Sequence, residues 1–362
     1  MLDVKQVKKY SDIVSEKEDI VSLYLNADQS VRTTEEIRIE LKDLLRVVEE
    51  RGLTKDAKKI DDYLKQDLMR SIRSLMFIAS DAQGIFDVLR LPVPVVDQVS
   101  VSNKVNVTPL CRMLDEYERY AVIMIDKEKM RLFTVYMGEI EEHDTDALSY
   151  FPGHHKKGGW SQARFQRHIE DHTNSMIKDT VKAITRYEKD YPFDRLIIGG
   201  SKEVLPEFEK MLPKNLQSKV AGKLSLEMFV SDHDVLEESM RIEEQIEREK
   251  EEDLVKRLVD NLGEGNKAVR GMDKVLLMLE EGKAMEIVID EELEETGKKC
   301  TKCDHLALDE LKCSYCGGDM EILPDLISEI VNKALNSNVE IEFVRGSDLL
   351  KENKSIGAFL RF

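Results

Sequence analysis

The sequence predicts an α/β (α+β) protein of three domains. Segments with helical periodicity and short apolar runs of strand length are mixed along the whole chain. The length of 362 residues suffices for two or three domains, each with its own core. A hydrophobic content of 41% and a charged content of 35% are typical of a soluble globular protein and exclude a disordered one.

The first predicted domain, residues 1–112, combines strands and helices. VSLYLNA at 21–27 alternates as a strand does, and residues 34–50 and 55–76 have helical periodicity. MFIAS, GIFDVLR and VDQVSVS are predicted to be further strands. Pro92, Pro94 and the polar stretch 102–108 indicate the exit into the second domain.

The second predicted domain, residues 113–231, opens with strands at 120–125, 131–136 and 139–142. A loop at 151–160 follows, and then a long amphipathic helix with Ser161 as its N-cap and Pro192 beyond its end. RLIIGG and LSLEMFV are predicted to be two buried strands on either side of the helical segment LPEFEKML.

The third predicted domain, residues 232–362, begins with a highly charged segment. Residues 232–260 contain twelve acids and five Lys or Arg, which predicts a solvated helix that connects two domains. Helices at about 266–282 and 324–336 then alternate with strands at 285–289 and 339–344 and with IGAFLRF at the end of the sequence. That alternation predicts an α/β sandwich.

The charge balance and the N-terminal segment limit the class of protein. A net charge of −18 argues against non-specific coating of nucleic acid. A local basic site is compatible with that balance, because exposed charges farther apart than a Debye length are largely screened from each other. MLDVKQVKKY lacks the apolar core of a signal peptide, and no apolar run approaches the length of a membrane span. We therefore expect a cytoplasmic protein.

One basic segment contrasts with this acidic background. Residues 151–169, FPGHHKKGGWSQARFQRHI, contain no acid in a chain that has 72. Glycines at its centre allow close approach to another surface, its Lys and Arg can hold phosphates, and Trp160 can stack on a base. The alternative is an ordinary loop whose cations keep an exposed turn soluble. The charge contrast, the single Trp of the chain and the arginines on the first helical turns favour contact with RNA.

This segment resembles the catalytic loop of archaeal and eukaryotic class-one release factors. The family pattern is Lys-x-Gly-Gly-Gln-Ser followed by Arg-Phe and another Arg, and the matching residues are Gly158, Gly159, Ser161, Arg164, Phe165 and Arg167. Trp160 stands in the place of the catalytic glutamine. Gln162, two positions later, gives a Gly-x-x-Gln spacing similar to that of the branch containing the ribosome-rescue peptidyl-tRNA hydrolases of stalled large subunits. The resemblance implies a three-domain, release-factor-like architecture.

The resemblance also implies roles for individual residues and for partners. Gln162, Gly158 and Gly159 would be catalytic, and the RNA-binding residues would be Lys156, Lys157, Trp160, Ser161, Arg164 and Arg167. The implied partners are the peptidyl-transferase centre of the large ribosomal subunit, peptidyl-tRNA, and a translational GTPase or a ribosome-splitting ATPase. The first domain has neither an Asn-Ile-Lys-Ser tetrapeptide nor a Tyr-x-Cys pattern, so the family's codon reading is not expected.

Three functions are compatible with these observations. The first is a codon-independent peptidyl-tRNA hydrolase that rescues ribosomes, which Gln162 and the complete glycine loop favour. The second is a Pelota-like factor that binds stalled ribosomes without hydrolysing the ester. The third is an RNA-binding regulator that has no connection with the ribosome.

Four of the five cysteines form two CxxC pairs separated by nine residues, CTKC at 300–303 and CSYC at 313–316. This spacing predicts one tetrahedral zinc ion, and a reducing cytoplasm disfavours disulfides. The predicted ligands are Cys300, Cys303, Cys313 and Cys316, in a structural site because four sulfurs leave no position for water. A redox dithiol pair is the alternative. By the family resemblance, this is a zinc ribbon at about 298–320 inserted in the third domain.

Overall fold

The computed structural model describes residues 2–66, 72–127, 129–143, 162–262 and 267–361. The chain forms two compact units, one made of Met1–Glu116 with Glu249–Phe362 and the other of Tyr117–Arg248. The helices are α1 Val4–Ser11, α2 Thr34–Glu50, α3 Thr54–Gln66, α4 Thr108–Glu116, α5 Gln162–Asp190, α6 Leu205–Met211, α7 Lys214–Gln217, α8 Asp232–Asn261, α9 Met272–Glu280, α10 Leu326–Asn336 and α11 Asp348–Glu352. The strands are β1 Ile20–Asn26, β2 Ser74–Ser80, β3 Ile85–Leu91, β4 Gln98–Ser102, β5 Tyr120–Ile125, β6 Met130–Tyr136, β7 Glu139–His143, β8 Arg195–Gly200, β9 Val220–Leu224, β10 Ala268–Arg270, β11 Ala284–Asp290, β12 Gly297–Cys300, β13 Leu306–Ala307, β14 Met320–Leu323, β15 Glu340–Val344 and β16 Ile356–Leu360. The α/β (α+β) class is confirmed, whereas the domain boundaries after residues 112 and 231 stay a prediction.

The N-terminal part of the first unit is an antiparallel sheet in the order β3-β2-β1-β4, covered by α2 and α3. The predicted strand at 21–27 and the predicted helix at 34–50 are confirmed. Thr33 starts α2 because its hydroxyl accepts a hydrogen bond from the Glu36 N–H while the Glu36 carboxylate accepts one from the Thr33 N–H. The helix predicted over 55–76 is wrong at its end, since α3 ends at Gln66 and Ser74 begins a fully buried strand.

The C-terminal part of the same unit is a mixed sheet in the order β10-β16-β11-β15. β11 and β15 are parallel. β16 lies between β10 and β11 and runs antiparallel to both. Helices α9 and α10 bury their apolar faces against this sheet, with residues such as Val275, Ile330 and Val331 wholly inside the core. The strands predicted at 285–289 and 339–344 and the helix predicted at about 324–336 are confirmed within a few residues. The helix predicted at about 266–282 is wrong at its start, because Ala268–Arg270 is a strand and α9 begins at Met272.

Helix α4 joins the two parts of this unit across a long stretch of sequence. Cys111 packs against the C-terminal core, and the Asp115 carboxylate accepts a hydrogen bond of 2.6 Å from the Phe343 N–H. At the other end of α4 the Thr108 and Ser328 hydroxyls are 3.0 Å apart. The segment that leaves the N-terminal sheet is therefore anchored on β15 and α10.

The second unit is a sheet in the order β7-β6-β5-β8-β9, in which β5, β8 and β9 are parallel. Helices α5, α6 and α7 cover one face, and α8 together with the turn after β9 covers the other. The prediction of a strand at LSLEMFV is wrong. The strand is Val220–Leu224, and the apolar residues that follow, Leu226, Met228 and Val230, pack on the sheet from a turn.

Helix α8 has the predicted extent, but the prediction of a fully solvated helix is wrong. Its Glu243 and Glu247 are 9% and 5% exposed, and both carboxylates bond the guanidinium of Arg195, at 2.6 Å in the case of Glu247. Glu118 adds a third carboxylate 3.0 Å from the same guanidinium. Burial raises the pKa of Glu243 to about 7, against the opposing effect of Arg195. Acidic residues of this helix are thus part of the interior.

Within the part of the chain that the structure describes, no helix is both long enough and apolar enough to cross a bilayer.

Candidate metal centre and candidate RNA-contacting loop

The four clustered cysteines come together at one end of a small sheet in the order β13-β12-β14. The Sγ atoms of Cys300 and Cys316 are 3.4 Å apart, and those of Cys303 and Cys313 are 3.5 Å apart. All four Sγ atoms lie within 4.8 Å of one another. Cys300 and Cys313 are buried, whereas Cys303 and Cys316 are exposed. The structure therefore brings all four predicted ligands into one group that could hold a metal ion.

The donor set fits a tetrahedral thiolate site. Sulfurs at about 2.3 Å from a central ion would be about 3.8 Å from each other, close to the observed separations. A disulfide would need a bond of about 2.05 Å, and all four are free cysteines. The Lys302 N–H donates to the Cys300 Sγ at 3.4 Å and lowers the pKa of that thiol to about 6. The thiolate is the form that binds metal.

Two glycines shape the second cysteine pair. Gly317 has φ +71°, a backbone conformation that residues with a Cβ rarely adopt. A Cβ on Gly318 would lie 3.0 Å from the Cys300 Sγ and 3.2 Å from the Cys316 Sγ. Cys316-Gly317-Gly318 therefore forms a tight turn, and its second glycine keeps the space beside the sulfurs open.

His305 is not among the grouped ligands, in agreement with the sequence. Its Nδ1 is 3.3 Å from a carboxylate oxygen of Glu280 on α9, and its ring packs against that of Tyr315 with centroids 4.6 Å apart. It links the cysteine ribbon to the neighbouring helix. A second acidic group, Glu118 with Glu243 and Glu247, surrounds the guanidinium of Arg195.

Most of the basic glycine loop lies outside the described residues. This holds for Lys156, Lys157, Gly158, Gly159, Trp160 and Ser161. Gln162 is the first residue of α5, and the backbones of Arg164 and Arg167 lie on its first two turns; the side chains of these three residues also lie outside the description. The predicted helix directly after Ser161 is confirmed.

Helix α5 has Gln162 as its first residue and contacts the core of its unit farther along the chain. Among the described side chains of α5, the first buried one is Met176, 14 positions after Gln162, or about 21 Å along a helix axis. From Met176 to Tyr187 the helix packs on the sheet through residues such as Ile177 and Ile184. The backbone of Gln162 is therefore carried well beyond the first described core contact of the helix.

His143 ends β7 and is the last described residue before the loop segment. Its Nε2 is 2.7 Å from the Thr134 hydroxyl and 2.8 Å from the Tyr187 hydroxyl, and its ring packs against that of Tyr187 with centroids 4.5 Å apart. Burial lowers the pKa of His143 and favours the neutral imidazole. Sequence reasoning did not find this anchor, because only the pairing of β6 with β7 brings Thr134 and His143 together.

Comparison with known proteins gives the family. Residues 106–244 match the sequence model described as "Bacterial archaeo-eukaryotic release factor family 10". Peptide chain release factor subunit 1 of Archaeoglobus fulgidus is 24% identical over 394 residues, an alignment that covers 99% of this chain and 96% of that relative. Residues 106–244 therefore match a family of archaeo-eukaryotic release factors, and the alignment over nearly the whole chain supports the same superfamily. The release factor superfamily segment 106–244 contains all the candidate catalytic and RNA-binding residues and ends before the cysteine ribbon.

Two further proteins are similar to this chain. Peptide chain release factor subunit 1 of Methanobrevibacter smithii is 26% identical over 298 residues, covering 72% of this chain and 69% of the relative. The solved structure of S. cerevisiae Dom34, described as a translation termination-like factor that interacts with Hbs1, aligns at 8% identity with a TM-score of 0.43. That alignment covers 99% of this chain and 92% of Dom34.

Proposed function

We propose that this chain acts on the ribosome as a codon-independent rescue factor that hydrolyses the ester of peptidyl-tRNA. The observation that carries the proposal is the Gly-x-x-Gln spacing at residues 159–162, at the start of α5 and inside the segment that matches the family. A relative aligned over nearly the whole chain is named a peptide chain release factor subunit, which supports the same class of activity. The partner is then the large subunit with its peptidyl-tRNA.

The position of Gln162 supports action at a distance from the protein core. A helix that extends about 21 Å before its first described buried residue can deliver its N-terminal end into a narrow site. Gly158 and Gly159 permit the close approach of the backbone to RNA. Lys156, Lys157, Arg164 and Arg167 supply phosphate contacts, while Trp160 stacks on a nucleotide and Ser161 contacts the RNA beside it.

The chemistry assigned to Gln162 is positioning of water. An amide is no general base at neutral pH, but it can orient a water molecule and donate a hydrogen bond to the oxygen that gains negative charge. The water oxygen attacks the ester carbonyl carbon, and the bond to the tRNA ribose oxygen breaks. The peptide leaves with a new carboxyl group, and the ribose oxygen takes up a proton.

The test is release of labelled peptide from ribosomes and from split large subunits that carry peptidyl-tRNA without a stop codon. Gln162→Ala should lower kcat about 10²-fold or more, as loss of a group that stabilises developing charge does. Gln166→Ala, the same substitution four residues along α5, is the matched control and should release peptide at the wild-type rate. Equal rates for wild type and Gln162→Ala would remove the proposed role of this glutamine.

Binding measurements separate the other functions. A Pelota-like factor would co-sediment with ribosomes and release no peptide, in wild type and Gln162→Ala alike. An RNA-binding regulator of another kind would not co-sediment with large subunits. The full-length chain should do both, co-sediment and release. A GTPase or a ribosome-splitting ATPase is the expected further partner, and its addition should raise turnover by freeing the factor after one round.

We propose that the four cysteines hold one structural zinc ion. Four sulfurs close the coordination shell, so zinc would stabilise the ribbon and supply no activated water. Metal analysis of the purified chain should give about one zinc per molecule. Cys313→Ala should abolish zinc binding, whereas Cys111→Ala is the matched control, because Cys111 lies apart from the group and should keep full zinc content. Folded, metal-free wild-type protein would contradict the proposal.

A further inference from the structure

The exposed side of α5 bears a row of cations that the glycine loop does not include. Lys178, Lys182, Arg186 and Lys189 are all exposed, and we refer to these four residues as the cationic face of α5. They follow one another at intervals of four, four and three positions, the spacing at which side chains share one side of a helix. In a chain of net charge −18 this row is a local reversal of sign.

All six Lys and Arg of α5 fall within one narrow sector. An α-helix turns by about 100° per residue, and the angles are measured around its axis from Lys178. Arg167 lies at about −20°, Lys189 at about 20°, Arg164 and Lys182 at about 40°, and Arg186 at about 80°. The buried positions Met176, Ala183 and Ile184 lie at about 160°, 140° and 240°, on the opposite side. Asp171 is the acid whose position falls inside the sector. The cationic face thus continues the line that begins at Arg164 and Arg167 beside the loop.

Ion pairing distinguishes this face from other cations of the same unit. Lys219 bonds Glu188 at 3.0 Å and Lys223 bonds Glu209 at 2.6 Å, which leaves these charges neutralised. Lys178, Arg186 and Lys189 have no hydrogen bond or ion pair with any described residue. Lys182 pairs with Asp179 at 3.0 Å, where both side chains are exposed and such a pair is weak. A partner that brings negative charge to this face therefore needs to break only the weak ion pair of Lys182 with Asp179.

We infer that the cationic face of α5 binds the sugar-phosphate backbone of RNA over a length of about 17 Å, from Lys178 to Lys189. The inference rests on the proposed function, and it extends the RNA contact from the loop along the helix. Phosphates repeat along a strand and accept from Lys and Arg without regard to base sequence, which suits a row of cations with no aromatic or amide group among them. The RNA is either ribosomal RNA of the large subunit or the peptidyl-tRNA itself.

The test uses the full chain and a triple neutralisation, Lys178→Gln with Arg186→Gln and Lys189→Gln. Binding to vacant large subunits and to deacylated tRNA is measured separately at several salt concentrations. The triple variant should bind about 10²-fold more weakly at 0.1 M salt, and the slope of log K against log salt should fall by about 2 to 3. Loss on vacant subunits assigns the contact to ribosomal RNA, and loss on tRNA alone assigns it to tRNA; either result supports the inference.

A matched control removes the same charge elsewhere in the unit. Lys202→Gln with Lys210→Gln and Lys214→Gln changes three exposed lysines that are not part of α5, and it should leave both affinity and salt slope at wild-type values. An unchanged slope for the α5 triple variant with both RNAs would overturn the inference. In the release assay this variant should raise KM and keep kcat, whereas Gln162→Ala should lower kcat and keep the salt slope. Failure of the inference and failure of the proposed hydrolysis are therefore separate results.

Discussion

Replacement of Arg195 by methionine is expected to destabilise the unit Tyr117–Arg248 by about 3–5 kcal/mol at pH 8. Arg195 is 9% exposed, and its guanidinium bonds three carboxylates, those of Glu118, Glu243 and Glu247. Methionine keeps the apolar stem and removes the charge. Three acids then share one site with no cation at their centre, and two of them are almost fully buried. The expected loss is a large part of the 5–15 kcal/mol that stabilises a typical domain.

The loss should depend on pH in a defined direction. Because burial raises the pKa of Glu243 from 4.5 to about 7, its protonated form stabilises the native state fully below 4.5, and this contribution disappears as the pH rises through 7. Without Arg195, protonation is the remaining way to neutralise the carboxylates. The destabilisation by Arg195→Met should therefore be smaller at pH 5.5 than at pH 8.

Urea unfolding followed by circular dichroism at the two pH values measures this effect. Arg241→Met is the matched control. Arg241 lies on α8, the helix that carries Glu243 and Glu247, pairs with Glu238 at 3.0 Å, and has a side chain that is 71% exposed. Arg241→Met should change the free energy of unfolding by no more than about 0.5 kcal/mol at both pH values. A loss below about 1 kcal/mol for Arg195→Met at pH 8, or an equal loss at both pH values, would refute the assignment of a buried ion cluster.

Two further predictions concern a buried acid and a glycine. Burial, reinforced by Glu342, raises the pKa of Asp115 to about 9, so the free energy of unfolding should fall as the pH rises from about 4 through 9. Asp115→Asn should flatten that pH dependence. Parallel pH profiles for wild type and variant would contradict the prediction. Gly200 has φ +131°, and a Cβ there would lie 1.8 Å from the Ile125 carbonyl oxygen, so Gly200→Ala should cost well over 2 kcal/mol in urea unfolding. Gly84→Ala is the control, since Gly84 has φ +68° with open space around it. It should lower the free energy of unfolding by only about 1–2 kcal/mol. Equal losses for the two variants would rule out the backbone clash at Gly200.

Local patterns were sufficient to predict most of the elements. The capping box at Thr33 and Glu36 and the apolar spacing after it predict α2, and the run of apolar residues at Tyr120–Ile125 predicts β5. These features depend on neighbours in sequence. The segment LSLEMFV could not be assigned in the same way, because alternating apolar residues can cover a sheet from a turn without pairing as a strand.

Tertiary partners explain what the sequence could not predict. The acids of α8 have the charge pattern of a solvated helix, and only the fold brings Arg195 of β8 against Glu243 and Glu247. The cysteine group was predictable, since its spacing alone limits how four thiols can meet. The cationic face of α5 was present in the sequence as a period of 3.6, but only the surrounding structure shows that Lys178, Arg186 and Lys189 have no ion-pair partner among the described residues.

The position of α4 has a consequence for synthesis of the chain. Its contacts join residues 220 and 228 positions apart, Thr108 with Ser328 and Asp115 with Phe343. Tyr117–Arg248 is one uninterrupted stretch, and it can fold as soon as it leaves the ribosome. Helix α4 emerges before that stretch, but its partners Ser328 and Phe343 emerge after it. The hydrogen bonds that anchor α4 on α10 and β15 can therefore form only after the whole of the other unit has been translated.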